Sequence, residues 1–304
     1  MNNEYTPLPE GQIQLLPIDT PQQDIPKPNA NNQSNNEILD APLPDYDKLM
    51  KDLYNIKTVF IRQLSRINKD SLNCCELPNI YYINSLSPEG VIRSLFKCKE
   101  FSSCFVRNFC SSNSRGFTMA IKYPYSPEDS PDDFSKPYLK VKRPFKCTCF
   151  CLERPEMIIS FGENDSIFGK IKQFFTCCDP EFLLYDNHGV KKYFIHGDCC
   201  QCGLICNLGS CAKNREVIFN IYKENDRINP IGTIIKKPAN SIEFNSNADS
   251  YQVNFPAQAT PQDKVLIIVA GLMIDYLFFE SFESEESEYD KFHRRNRIIA
   301  NIFT

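Results

Sequence analysis

The feature that most constrains this chain is a run of fifteen residues near its C-terminus, 265–279, which reads V-L-I-I-V-A-G-L-M-I-D-Y-L-F-F from Val265 to Phe279. Asp275 is its only charge. At ~1.5 Å per residue such a helix spans about 22 Å, short of the ~30 Å hydrocarbon core of a bilayer. A helix that is apolar on every face must be buried in something. Two environments qualify, a protein core and a bilayer, and the length favours the core. Pro261 and Asp263 stand where such a helix would begin. Acidic residues follow over 280–288, then the basic His293-Arg294-Arg295-Asn296-Arg297.

The rest of the ordered chain reads as β structure. Short β-branched and aromatic runs occur at 58–64, 81–83, 91–96, 117–121, 139–141, 157–161, 167–175, 182–185, 193–195, 217–222 and 231–235. Gly, Pro, Asn, Asp or Ser bounds each. Many short strands with turns between them predict an antiparallel sandwich or barrel. A helix is expected over 48–55, capped by Asp45, with Leu49, Leu53 and Ile56 on one face. With 42% hydrophobic and 24% charged residues, the chain can build a sizeable core.

An internal echo runs through these strands. Gly90-Val91 leads through a strand and a Cys-containing loop to Tyr123, and Gly189-Val190 leads in the same way to Tyr222. The two Gly-to-Tyr spacings are equal. Val141-Lys142-Arg143-Pro144 is matched downstream by Ile235-Lys236-Lys237-Pro238. The echo points to two similar β halves closed into one body; its period is too long for a solenoid repeat.

Residues 1–44 are a polar, proline-rich tail, and such a segment buries too little apolar surface to order itself. It is read as disordered, with Leu43-Pro44-Asp45-Tyr46 near a ligand for a WW- or SH3-type domain. Residues 45–281 form the folded domain, and 282–304 a charged tail. The first 30 residues show no signal-peptide pattern, so the N-terminus is expected to begin in the cytosol, where thiols stay reduced.

The 15 cysteines are an odd number, which fits a closed disulfide framework poorly. Buried thiols, metal ligands and lipid-acceptor thiols remain. Cys199, Cys202, Cys206 and Cys211 number enough for a tetrahedral zinc site, but zinc is disfavoured because such sites normally use two separated knuckles. His188 and His196 are read as loop residues. The net charge of −4 argues against a nucleic-acid partner. No G-x-G-x-x-G, P-loop, H-E-x-x-H or G-x-S-x-G is present, which argues against an enzyme.

Three segments occur in a telling order. Arg143-Pro144-Phe145-Lys146 runs into Cys147, Cys149 and Cys151. A Phe244-x-x-x-Ala248-Asp249 segment leads to Phe255-Pro256. The chain's apolar helix ends Ile274-Asp275-Tyr276-Leu277-Phe278-Phe279-Glu280. In this the chain resembles the phospholipid scramblase family over residues 53–281. The resemblance implies a fold like the tubby C-terminal domain: mainly β, a closed antiparallel barrel around the C-terminal hydrophobic helix. It implies ATP-independent, calcium-stimulated, bidirectional movement of phospholipids between leaflets, with no bond made or broken. The alternative is a membrane-docked lipid- or protein-binding adaptor without scrambling activity.

The resemblance also implies palmitate on Cys147, Cys149 and Cys151, where two or more chains give stable anchoring. It places the protein at the cytoplasmic face of the plasma membrane, lipid-anchored or single-pass, with helix 265–279 as the family's anchor and a homo-oligomer to form a lipid path. Residues 247–258 align with the family's calcium loop. Asn247 and Asp249 are the candidate ligands. Tyr251 at the fifth position, Gln252 at the sixth and Gln258 at the twelfth depart from an EF-hand-like pattern, so the expected calcium affinity is weak.

Overall fold

A computed structural model describes residues 44–64, 78–86, 91–110, 114–123, 133–146, 153–162, 165–205, 216–238 and 250–279. The chain begins with α1 (Pro44–Tyr54) and runs into β1 (Thr58–Gln63), β2 (Ile80–Leu86) and β3 (Ile92–Phe101). The short α2 (Cys104–Phe109) leads to β4 (Phe117–Lys122), β5 (Leu139–Arg143) and β6 (Glu156–Phe161). Next come β7 (Ile167–Phe174), β8 (Glu181–Asp186) and β9 (Lys191–Gly197), then the single-turn α3 (Cys202–Ile205). Finally come β10 (Val217–Lys223), β11 (Gly232–Lys237), β12 (Ser250–Asn254) and the 18-residue α4 (Pro261–Phe278). Of the expected tails, 1–44 and 282–304, all but Pro44, which begins α1, lie outside the described residues.

Each strand pairs antiparallel with its sequence neighbours, and β1 pairs with β12, so the sheet closes into a barrel with no free edge. Strand alternation sets the inside. In β1, Val59, Ile61 and Gln63 are buried while Thr58, Phe60 and Arg62 are partly exposed. Register carries the inward rows around the barrel: Ile61 lies opposite both Ile83 and Tyr251, and Val253 opposite both Val59 and Ile234.

The element order repeats, with three strands, a short helix and three strands occurring twice. This agrees with the internal echo read from the sequence. β5 and β11 end at the matched motifs, each followed by its proline, Pro144 or Pro238.

Strand β12 is absent from the sequence expectation. Its residues fall within the segment aligned with the calcium loop, yet Tyr251 and Val253 show the two-residue alternation of a half-buried strand. α1 starts four residues earlier than expected, at Pro44, where a proline fits the first turn because its missing N–H has no helical partner. His188 lies in a turn as expected, but His196 belongs to β9.

Candidate functional site

Helix α4 fills the lumen. Its residues Val265 through Leu277 are buried, and Phe279 just beyond is 3% exposed. Thr260 caps it in a reciprocal box: the Asp263 N–H donates to Thr260 Oγ1 at 3.2 Å, and the Thr260 N–H donates to Asp263 Oδ2 at 3.0 Å. Gly271 lets the helix approach the wall, since a Cβ there would lie 2.8 Å from Ile61 Cδ1. The structure therefore resolves the two environments in favour of the protein core. Strands cover every face of 265–277, leaving the helix no face for lipid. Among the described residues, no helix is long and apolar enough to cross a membrane. The transmembrane reading of this segment is corrected accordingly.

A lumen helix with a carboxyl group needs partners for it, because an unpaired buried polar group is costly. Asp275 is fully buried. Tyr81 Oη donates to its Oδ2 at 2.6 Å, and Tyr251 Oη donates to its Oδ1 at 2.5 Å. The neighbouring Tyr276 donates to Glu100 Oε2 at 2.9 Å. Glu100 also accepts from Ser102 Oγ at 2.6 Å and from the Asn79 N–H at 3.2 Å, and its Oε2 lies 3.5 Å from a nitrogen of Arg115. These contacts join the C-terminal end of α4 to β2, β3, β12 and the β3–β4 connection. At its other end, Asp263 accepts from Tyr193 Oη at 3.2 Å; burial first, then the Asp263 charge, pushes the Tyr193 phenol up. Lys264 Nζ donates to the Leu53 and Tyr54 carbonyls at 2.8 and 2.9 Å, and burial lowers its pKa.

The two ends of the barrel differ. α1 packs over the end where α4 begins, with Leu49 and Leu53 fully buried in the shared core. Every segment joining an odd strand to the next even one emerges at the opposite end, beside the C-terminus of α4. Of the 15 cysteines, all but Cys98 fall in those connecting segments of the sequence. Cys98 is inside, on β3, and burial pushes its thiol well up. The segments joining even strands to odd ones carry no cysteine.

A small titratable cluster spans two of these connections and the end of β9. Asp179 accepts the Cys199 N–H on Oδ1 at 3.0 Å and lies 3.1 Å from His196 Nε2. The Cys199 contacts and His196 lower the Asp179 carboxyl to about 2. The same carboxylate, with burial and Cys200 behind it, pushes the Cys199 thiol up to about 12. These contacts disfavour the Cys199 thiolate. Ligand atoms of Asp198, Cys199 and Cys200 lie within 4.8 Å of one another. Cys206 and Cys211 lie outside the described residues, so the four-cysteine arrangement is not assembled among them.

Cys147, Cys149, Cys151, Asn247 and Asp249 also lie outside the described residues. Their flanks are described. Arg143, just before the cysteine segment, is 2% exposed, with its guanidinium 5.6 Å from the centroid of the Phe117 ring, so it serves the barrel wall. Lys146 pairs with Glu156 at 3.0 Å. In the calcium-loop alignment, residues 250–254 form β12, and the side chain at the fifth position, Tyr251, points into the lumen at Asp275. Sequence reading missed the partners of Asp275. The available signal was the tyrosine at alternating positions in two strands, Tyr81 and Tyr251, against one buried acid.

Fold and site together define a helix-filled, closed antiparallel barrel with one thiol-rich end. The family model described as Scramblase matches residues 38–281, so this chain belongs to the scramblase family. It is 23% identical over 222 residues to phospholipid scramblase 4 of Homo sapiens, covering 72% of this chain and 60% of that protein. It is 27% identical over 256 residues to phospholipid scramblase 1 of Rattus norvegicus, covering 82% and 68%. It is 27% identical over 208 residues to phospholipid scramblase family member 5 of Homo sapiens, covering 67% and 68%. The matched stretch spans 60% of human phospholipid scramblase 4 and 52% of mouse phospholipid scramblase 1.

Proposed function

We propose that the protein moves phospholipids between membrane leaflets in both directions without ATP, stimulated by calcium, from the cytoplasmic face of the plasma membrane. The family match over residues 38–281 carries this reading. No bond is broken in this activity. The barrier is the desolvation of a polar headgroup crossing hydrocarbon. With α4 enclosed in the barrel, the protein lowers that barrier from the membrane surface, by thinning the bilayer or offering polar groups to the headgroup, and a lipid path calls for more than one copy of the chain.

Palmitate on Cys147, Cys149 and Cys151 holds the barrel there. Each thiol attacks the carbonyl of a long-chain acyl thioester. A new thioester forms, the old one breaks, and the carrier leaves as a thiol with the proton. Calcium is assigned to the segment around Asn247 and Asp249, with weak affinity because Asp249 is the only carboxylate over 247–258. The proline-rich tail is assigned to a WW- or SH3-type partner.

The test is a dithionite-quench assay on proteoliposomes with fluorescent lipid in both leaflets, run with and without calcium. Bleaching beyond half supports scrambling, and a calcium requirement supports the calcium assignment. Bleaching held at half, with folded and membrane-bound protein, contradicts it. The enclosure of α4 favours a second reading, a lipid-docked adaptor that moves no lipid, which that outcome would select.

A further inference from the structure

We propose that the barrel stands end-on against a phospholipid bilayer, and that a crown of phenylalanines at the α4 C-terminal end inserts into it. Among the described residues, every exposed phenylalanine lies at this end: Phe101, Phe105, Phe145, Phe174 and Phe175, between 45% and 66% exposed. They come from three different connections. Phe101 ends β3 and Phe105 lies on α2, Phe145 follows β5, and Phe174 and Phe175 close β7. Their backbone is held in place. The Lys146 N–H donates to the Ser114 carbonyl at 3.3 Å, and a Cβ on Gly116 would lie 2.7 Å from the Phe145 nitrogen, so the β3–β4 and β5–β6 connections pack as a unit.

Three features name the occupant as lipid. This end carries the connections that hold the thiols; Cys177 and Cys178 are exposed two and three residues beyond Phe175. Acyl chains on Cys147, Cys149 or Cys151, which directly follow Lys146, would enter the surface that Phe145 enters. Lys142 and Lys172, exposed near the ends of β5 and β7, add positive charge that attracts anionic headgroups. The other end is covered by α1; among the described residues the large apolar side chains it exposes are Tyr54, Leu86, Ile167, Val190, Ile228 and Ile231, none of them a phenylalanine.

The inference rests on the membrane reading above but can fail separately from it. The chain contains no tryptophan, so one introduced tryptophan is an unambiguous reporter. Full-length Phe145→Trp, Phe175→Trp and Ile228→Trp would each be mixed with phosphatidylcholine–phosphatidylserine vesicles carrying brominated acyl chains. The expected result is a blue shift and quenching at 145 and 175 and neither at 228. Phe145→Ser with Phe175→Ser should weaken vesicle co-sedimentation about tenfold or more, while Ile228→Ser with Ile231→Ser leaves it unchanged. Quenching at 228 alone would reverse the orientation, and quenching at no site would overturn the docking. Quenching at 145 and 175 without lipid scrambling would keep the docking and remove the scrambling activity.

Discussion

Asp275 is the residue on which the lumen turns. Its two oxygens are taken by phenols from opposite sides of the chain order, Tyr81 on β2 and Tyr251 on β12. Tyr81→Phe and Tyr251→Phe should each cost about 1–3 kcal/mol, read as a lower urea midpoint with unchanged slope. The double variant should depart from additivity, because both phenols serve one carboxyl group. A different residue sets the acid limit at the thiol-rich end. Asp179 is lowered to about 2 by the Cys199 contacts and His196, so its contribution is present above the ordinary carboxylate value of about 4. It is lost as pH falls through about 2. Acid titration of stability should show a component in that window that disappears in Asp179→Asn.

At the scale of the element, α4 was legible because its signal is independent of context. Fifteen residues with one charge must be buried wherever they go, and Pro261 and Asp263 mark the start. What the sequence left open was which environment buries them, since core and bilayer are equally apolar; the closed ring of strands decides it. β12 was hidden for the opposite reason. It is only five residues long, and its polar Ser250, Gln252 and Asn254 hid the inward pair Tyr251 and Val253. The thiols were legible as clusters, but that their connections all join strand ends on one side of the barrel was not, because it depends on the strand pairing. Two substitutions probe α4 directly. Thr260→Ala removes the cap and should cost about 1 kcal/mol, or about 2–4 °C in Tm. Gly169→Ala should cost about 1–3 kcal/mol, because the added Cβ would sit 2.8 Å from the Tyr185 carbonyl and 2.5 Å from Leu266 Cδ2.

The whole molecule is a twice-repeated set of six strands closed around its own C-terminal helix. One end is covered by α1; at the other the cysteine-bearing connections leave and re-enter the barrel, and the exposed phenylalanines of the described residues lie there. This changes what a member of the scramblase family can be asked to do with its apolar helix. The helix is the core of the domain, so the proposed membrane contact falls to the outside of the barrel. The most direct test is amide hydrogen exchange of the full-length protein in detergent-free buffer, before and after adding phospholipid vesicles. Amides of 265–277 should exchange only with global unfolding in buffer, and vesicles should leave them unchanged. Fast exchange of those amides in buffer, with protection appearing only when vesicles are added, would contradict the account and return the helix to the bilayer.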